Sequence, residues 1–209
     1  KLIQQQAAAD AAFTAGQIDR LATVNQLETQ QLQQQLGKKI NTITEQTTSI
    51  WTLVTRADGS FKDPRARQAV SEALVRKQFA DLMYQGAAIP QGPVPSAFKS
   101  YALSQADLAQ TWNKEDIKDA KQKLSAAGFD TTHQYELKYY TPGDAPAAFA
   151  QIVGKQLQEN LGINIKLVGE DFGTWLANSL YGGNFDGFIS FPSIAYDDPE
   201  TYISQWSDP

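Results

Sequence analysis

Between Asn113 and Phe191 the spacing of apolar residues switches repeatedly between the helical and the extended period, and this alternation limits the fold more tightly than any other feature. "NKEDIKDAKQKLSAAGF" puts Ile117, Ala120, Leu124 and Ala127 on one helical face, with Asn113 as the expected N-cap and Gly128 as the stop. "YELKYYT" alternates as a strand does. "GDAPAAFAQIVGKQLQENLG" repeats Phe149, Ile152, Val153, Leu157 and Leu161 at helical spacing, opened by Asp144 and closed by Gly162. "INIKLVGED" predicts a strand on Ile163, Ile165 and Leu167, "FGTWLANSLYGG" a helix and "FDGFISF" a last strand. Helix and strand taking turns in this way predict an α/β domain. Two of the three links between these strands are long enough for helical crossovers, so the expected sheet is mixed, partly parallel and flanked by helices.

Upstream, "DAAFTAGQID" reads as a short helix stopped at Gly16, and "VNQLETQQLQQQLGKK" as a surface helix capped by Asn25 and ended by Gly37. "INTITEQTTSIWTLVT" has the β-branched composition of one or two strands. At "DPRARQAVSEAL" a helix is expected to start, with Asp63 as cap and Pro64 at its first position, where the missing N–H costs nothing. Its apolar face is small: Ala66, Ala69, Val70, Ala73 and Leu74. "RKQFADLMYQG" is expected to continue that helix to Gly86. Pro90, Pro93 and Pro95 make "GAAIPQGPVPSAF" an ordered crossing loop.

Composition excludes several functions. The 209 residues carry a net charge of -5, which argues against nucleic acid as the main partner. No stretch is apolar enough to span a membrane. Without cysteine there is no disulfide, no thiolate metal site and no cysteine nucleophile. The single histidine, His133, lies among polar neighbours before a strand, an unpromising base for Ser-His-Asp chemistry. The chain starts Lys-Leu-Ile and its one methionine is Met83, so a natural start and an export signal are expected upstream of it.

Three acids close together, Asp197, Asp198 and Glu200, raise the question of a metal or an acid/base pair. A calcium loop needs alternating oxygen ligands, a glycine turn and a distal Glu, and this stretch has none of that arrangement. Asp198, Pro199 and Glu200 fit a helix start instead: cap, proline, then negative charge in the first turn. No metal and no cofactor is expected. Arg67, near an apolar helix face, suits either an anion or hinge contact at a cleft or an ion pair with a carboxylate such as Asp186. Trp51, Phe191 and Tyr196 lie at or beyond strand ends, where ligands of α/β sheets collect. Their rings fit stacking on a sugar face, a peptide side chain or another apolar group, or simple core packing. Thr52, Thr55, Ser190 and Ser193 offer neutral hydrogen bonds there, while Trp175 and Trp206 are expected to pack.

Several blocks, in order, resemble the family 5 extracellular solute-binding proteins of ABC importers. They are "AAFTAGQID", with Gln17 in place of an acid; Phe61, Asp63, Arg65, Arg67, Gln68 and Ala69 in "FKDPRARQA"; "AKQKLSAAGF"; "IVGKQLQENLGINIKL"; and "FDGFIS" with a later "DDP". The resemblance implies one lobe of a type II periplasmic-binding-protein-like fold, the whole of residues 1–209 being a truncated piece of a two-lobed protein whose other lobe is missing. It also implies a solute or oligopeptide ligand, a membrane permease as partner, export to a periplasm or a membrane-anchored cell-surface position, and no catalysis. The chain departs from the pattern at Val75, where an Asp usually precedes Arg, and at Pro192 and Ala195, where peptide-binding members carry an aromatic residue and an amine-binding Asp. Two other readings stand beside it: a small α/β hydrolase or transferase, which lacks a G-x-S-x-G or phosphate loop here, and a stand-alone interaction module.

Overall fold

The structure is a computed structural model that describes residues 3, 6–22, 26–43, 49–141, 144–191 and 198–204. Two helices come first, α1 (Gln6–Thr14) and α2 (Gln26–Leu36). α1 ends as its sequence demands: Gly16 takes φ +70°, and the N–H of Gln17 reaches back to the carbonyl of Ala12 at 2.8 Å. The Thr-rich run yields one described strand, β1 (Thr52–Thr55); residues 44–48 of that run lie outside the described residues.

Asp63 caps α3 (Pro64–Glu72) through the N–H of Arg65 at 2.8 Å. Ala66, Ala69, Val70 and Ala73 are buried, so the small-residue face lies close against its neighbours. The helix does not run on to Gly86. It stops at Ala73, and α4 (Arg76–Tyr84) starts afresh after Val75 in extended conformation. Valine has no side chain with which to cap. The N–H of Val75 donates to Gln156 Oε1 at 2.7 Å and that of Arg76 to Glu115 Oε1 at 2.8 Å. Residues far along the chain thus do what a local cap does elsewhere.

A short helix that the sequence reading did not foresee, α5 (Gln105–Gln110), is capped by Ser104. The next, α6 (Ile117–Ala126), is capped by Asp116 and not by Asn113; the Asp116 carboxylate accepts from the N–H of Asp119 at 3.0 Å. An Asp at this position, directly before the apolar period, outcompetes an Asn three residues earlier. Then follow β2 (Gln134–Thr141), α7 (Asp144–Leu161), β3 (Asn164–Asp171), a helical segment made of α8 (Phe172–Thr174) and a π-helical stretch (Trp175–Leu180), β4 (Gly187–Ser190) and α9 (Glu200–Ser204). The N–H of Glu200 donates to Asp198 Oδ1 at 2.9 Å, the same Asp-Pro device that starts α3.

Among the described residues the strands lie in the order β1-β4-β2-β3. β2 is parallel to both β3 and β4, and β1 is antiparallel to β4, so the sheet is mixed and mostly parallel. The register puts Leu53, Ile189, Leu137, Tyr135 and Ile165 on one face, against α7. There Gly154 of α7 faces Ile165 and Leu167 so closely that a Cβ would sit 3.2 Å from the Leu167 side chain. α3 and α6 extend the same core. The other face holds Thr52, Val54, Phe188, Lys138, Tyr140 and Glu170, and the 172–180 segment lies across it.

Candidate functional site

Strand direction decides which residues meet. β2, β3 and β4 are mutually parallel, so Thr141, Asp171 and Ser190 end at one edge of the sheet. β1 runs the other way, with Thr52 opposite Ser190, and this brings its first end to the same edge. Trp51 precedes Thr52 and Phe191 follows Ser190, and their rings lie 4.4 Å apart. The helical segment 172–180 and α7 both begin at this edge, immediately after β3 and β2. This is the side of an open α/β sheet where ligands gather.

Trp51 is held from several directions. Its ring stacks on Phe149 of α7 at 5.1 Å and 18°, and Phe149 meets Phe79 of α4 at 4.8 Å. Its indole N–H donates to the Tyr84 hydroxyl at 2.5 Å. Burial pushes the Tyr84 phenol above its ordinary pKa, an effect opposed by the indole donor. Trp51 is therefore both a core ring and a strand-end ring. Phe191, half-buried beside it, shares that double character.

A second group of rings was missed by the sequence reading. Phe172, 50% exposed, stacks on Trp175 at 6.0 Å and 15°, and Tyr140 meets both at 5.6 and 5.2 Å. Trp175 is 4% exposed and packs as expected, edge-on to Phe188 at 5.5 Å. The signal for Phe172 was present in the sequence: an aromatic directly after a strand, with Asp171 before it as cap. Asp171 accepts the Thr174 N–H at 3.1 Å and the Thr174 hydroxyl, and these bonds hold its carboxyl below the usual range. That carboxylate is committed to the helix start.

The remaining predicted residues separate. Thr52 is at the strand-end edge, and its buried hydroxyl oxygen has no hydrogen-bond partner among the described residues. Thr55 is at the opposite end of β1, paired with Gly187, on the face toward α7. Ser193 and Tyr196, with Pro192, Ala195 and Asp197, lie outside the described residues, as does Trp206. Arg67 does not pair with Asp186. Its guanidinium donates to the carbonyls of Phe61 and Lys62 at 2.6 and 3.0 Å and stiffens the entry to α3. Asp186 accepts the N–H of Glu136 at 2.9 Å and bridges β4 to β2 where their ladder ends. Asp63, Pro64, Asp198 and Pro199 serve the helix starts described above. His133 is exposed at the amino end of β2, edge-on to Tyr135, far along the sheet from the rings.

A concavity of about 360 Å³ opens at the amino end of the parallel strands, with Arg56, Asp58, Glu136 and Asp186 in its wall. Its charges are committed to one another: Arg56 to Asp58 at 2.6 Å, Glu136 to Lys166 at 2.9 Å. Among the described residues no cluster of His, Asp and Glu is arranged to hold a metal ion, and no helix is long and apolar enough to cross a membrane.

The fold has many solved counterparts. The chain is similar to OppA of Burkholderia pseudomallei, at 22% identity and a TM-score of 0.79, over 96% of this chain and 40% of that one. It is similar to the murein tripeptide binding protein MppA of Escherichia coli, at 22% identity and 0.77, over 96% and 39%. It is also similar to the periplasmic binding protein DppA of Helicobacter pylori, solved with the peptide STSA, at 18% and 0.75, over 97% and 38%. The chain thus spans about two-fifths of the length of these structures. No curated protein sequence matches it. The family description "Bacterial extracellular solute-binding proteins, family 5 Middle" matches residues 1–209 from end to end, and the chain belongs to that family.

Proposed function

We propose that residues 1–209 form one lobe of the substrate-binding component of an ABC importer. The lobe presents the rings of Trp51, Phe191, Phe172 and Tyr140 to a solute held against a second lobe. The solute is an oligopeptide or a molecule of similar size, and closure of the two lobes around it creates the form that a membrane permease accepts. The protein is exported, to a periplasm or to the cell surface, and does no chemistry on its ligand. One observation carries this reading: the parallel strands and the reversed β1 bring aromatic rings from distant segments to one sheet edge, the edge where α/β folds bind ligands. Family membership and the peptide complex of the Helicobacter pylori relative support a binding role. Of the acids the sequence raised, Asp198 is used in a helix start, as is Asp171 beside Phe172, and neither is in a pair that could share a proton.

A ligand shifts open to closed only by the extra contacts it gains in the closed state. A lone lobe offers part of those contacts. Calorimetric titration with the tetrapeptide Ser-Thr-Ser-Ala and with a short neutral oligosaccharide is expected to give saturable heat for the two-lobed protein and heats of dilution for the 209-residue chain. Tight one-to-one binding by the isolated chain, or turnover of either probe, overturns the proposal.

A further inference from the structure

The ring wall of Tyr140, Phe172 and Trp175 rests on a polar anchor hidden under it. Lys138, in the middle of β2, has a side chain only 7% exposed, and its ammonium lies 3.1 Å from Glu170 of β3, itself 11% exposed. The second carboxylate oxygen of Glu170 accepts the hydroxyl of Ser179 at 2.9 Å, and Ser179 is wholly buried. Ser179 and Trp175 are four residues apart in the π-helical stretch, and both turn inward to the sheet. The N–H of Tyr181 bonds the carbonyl of Leu176, five residues back, which keeps that wide turn. Glu170 also adjoins the wall: Tyr140 is its register partner on β2, and the next residue, Asp171, caps the segment that starts with Phe172.

A buried ion pair is weak evidence for stability, because apolar replacements of equal volume often do as well. It does fix direction, since a carboxylate bonded on both oxygens has one orientation. We propose that Glu170 is a positioning residue: anchored by Lys138, its carboxylate holds segment 172–180 on the sheet through Ser179 and so sets where Phe172 and Trp175 stand. Its consequence for ligand affinity rests on the function proposed above; the tether itself does not.

Hydrogen exchange read by mass spectrometry on the 209-residue chain tests the tether. Ser179→Ala removes the tether and leaves the ion pair, and Glu170→Gln leaves Lys138 buried without its counter-charge. Each is expected to speed exchange in residues 172–181 by about tenfold or more while α7 is unchanged. Lys138→Met combined with Glu170→Gln keeps an acceptor for Ser179 and strands no charge, so protection returns. Lys166→Gln, which breaks the exposed pair with Glu136 on the same face, changes nothing in the segment. Unchanged exchange in Ser179→Ala, an equal rise across the whole chain, or no rescue by the paired variant overturns the proposal. Titration of the two-lobed protein with Ser-Thr-Ser-Ala separates the two readings. Loss of affinity in both Phe172→Ala and Ser179→Ala supports them together. Faster exchange with affinity unchanged in both variants refutes the ligand surface and leaves the tether standing.

Discussion

Replacement of Trp51 separates a ring that only meets ligand from one that also holds the fold together. Among the described residues Trp51 makes one side-chain hydrogen bond and two ring contacts, and its surface is half-buried. The indole bond to Tyr84 contributes ~1 kcal/mol net. The ring contacts with Phe149 and Phe191 contribute ~1 kcal/mol each beyond area. Covering half of a ring of ~200 Å² adds ~2.5 kcal/mol at ~25 cal/mol per Å². These terms overlap, and tryptophan truncations in cores cost ~3–5 kcal/mol, so Trp51→Ala is expected near the lower half of that range. Trp51→Phe keeps both ring contacts and loses the donor, at ~1–2 kcal/mol. Urea unfolding of the chain followed by far-ultraviolet circular dichroism measures both, with the slope unchanged if the transition stays two-state. A cost within ~0.5 kcal/mol for Trp51→Ala, the level of an ordinary surface change, would show that the ring contacts at 5.1 and 4.4 Å contribute nothing to the fold.

Gln156→Ala is expected to cost ~2–4 kcal/mol in the same assay, because it removes the acceptor of the Val75 N–H together with bonds to the Val75 carbonyl and Gln78; a loss below ~1 kcal/mol would deny Gln156 its role as a cap at a distance. Asp116→Ala should lower stability by ~1 kcal/mol as a lost cap, whereas Asn113→Ala, whose buried amide nitrogen has no partner among the described residues, should be neutral or slightly stabilising; the reverse order would restore Asn113 as the cap. The side chain and N–H of Arg65 hold the Asp63 carboxyl at about 2, below its ordinary 3.8. A depressed acid contributes stability that is present above 3.8 and lost as pH falls toward 2. Carboxyl NMR should show Asp63 titrating near 2, and Asp63→Asn should flatten the acid limb of the stability profile; titration near 3.8 would mean that the chelate with Arg65 does not persist in solution.

The α/β order, most helix boundaries and the Asp-Pro starts were legible because each is written within a few neighbouring residues. Asp63 with Pro64 and Asp198 with Pro199 carry their own acceptor and their own fixed φ, and Gly16 carries the freedom to turn a helix off. The break at Val75 was not legible. Its local sequence favours continuation, and the bonds that end one helix and start the next come from Gln156 and Glu115. The expected pairing of Arg67 with Asp186 failed for a similar reason: two nearby carbonyls satisfy the guanidinium first.

The candidate site divides along the same line. That Trp51 and Phe191 stand at strand ends could be read from the order of residues; that they touch depends on β1 running against β4, which no local pattern encodes. Lys138 sits in an alternating strand, and alternation by itself places a polar residue on a solvent face. It is buried because β2 lies between β3 and β4 with both faces covered, and its partner Glu170 comes from the neighbouring strand. The amino-acid sequence by itself determined the elements and their caps, since hydrogen bonds and apolar period act over one or two turns. Tertiary structure alone decided which rings meet, which carboxylate meets the buried lysine and which end of the sheet is lined with aromatics, since these depend on strand order and direction, settled only when the whole core closes.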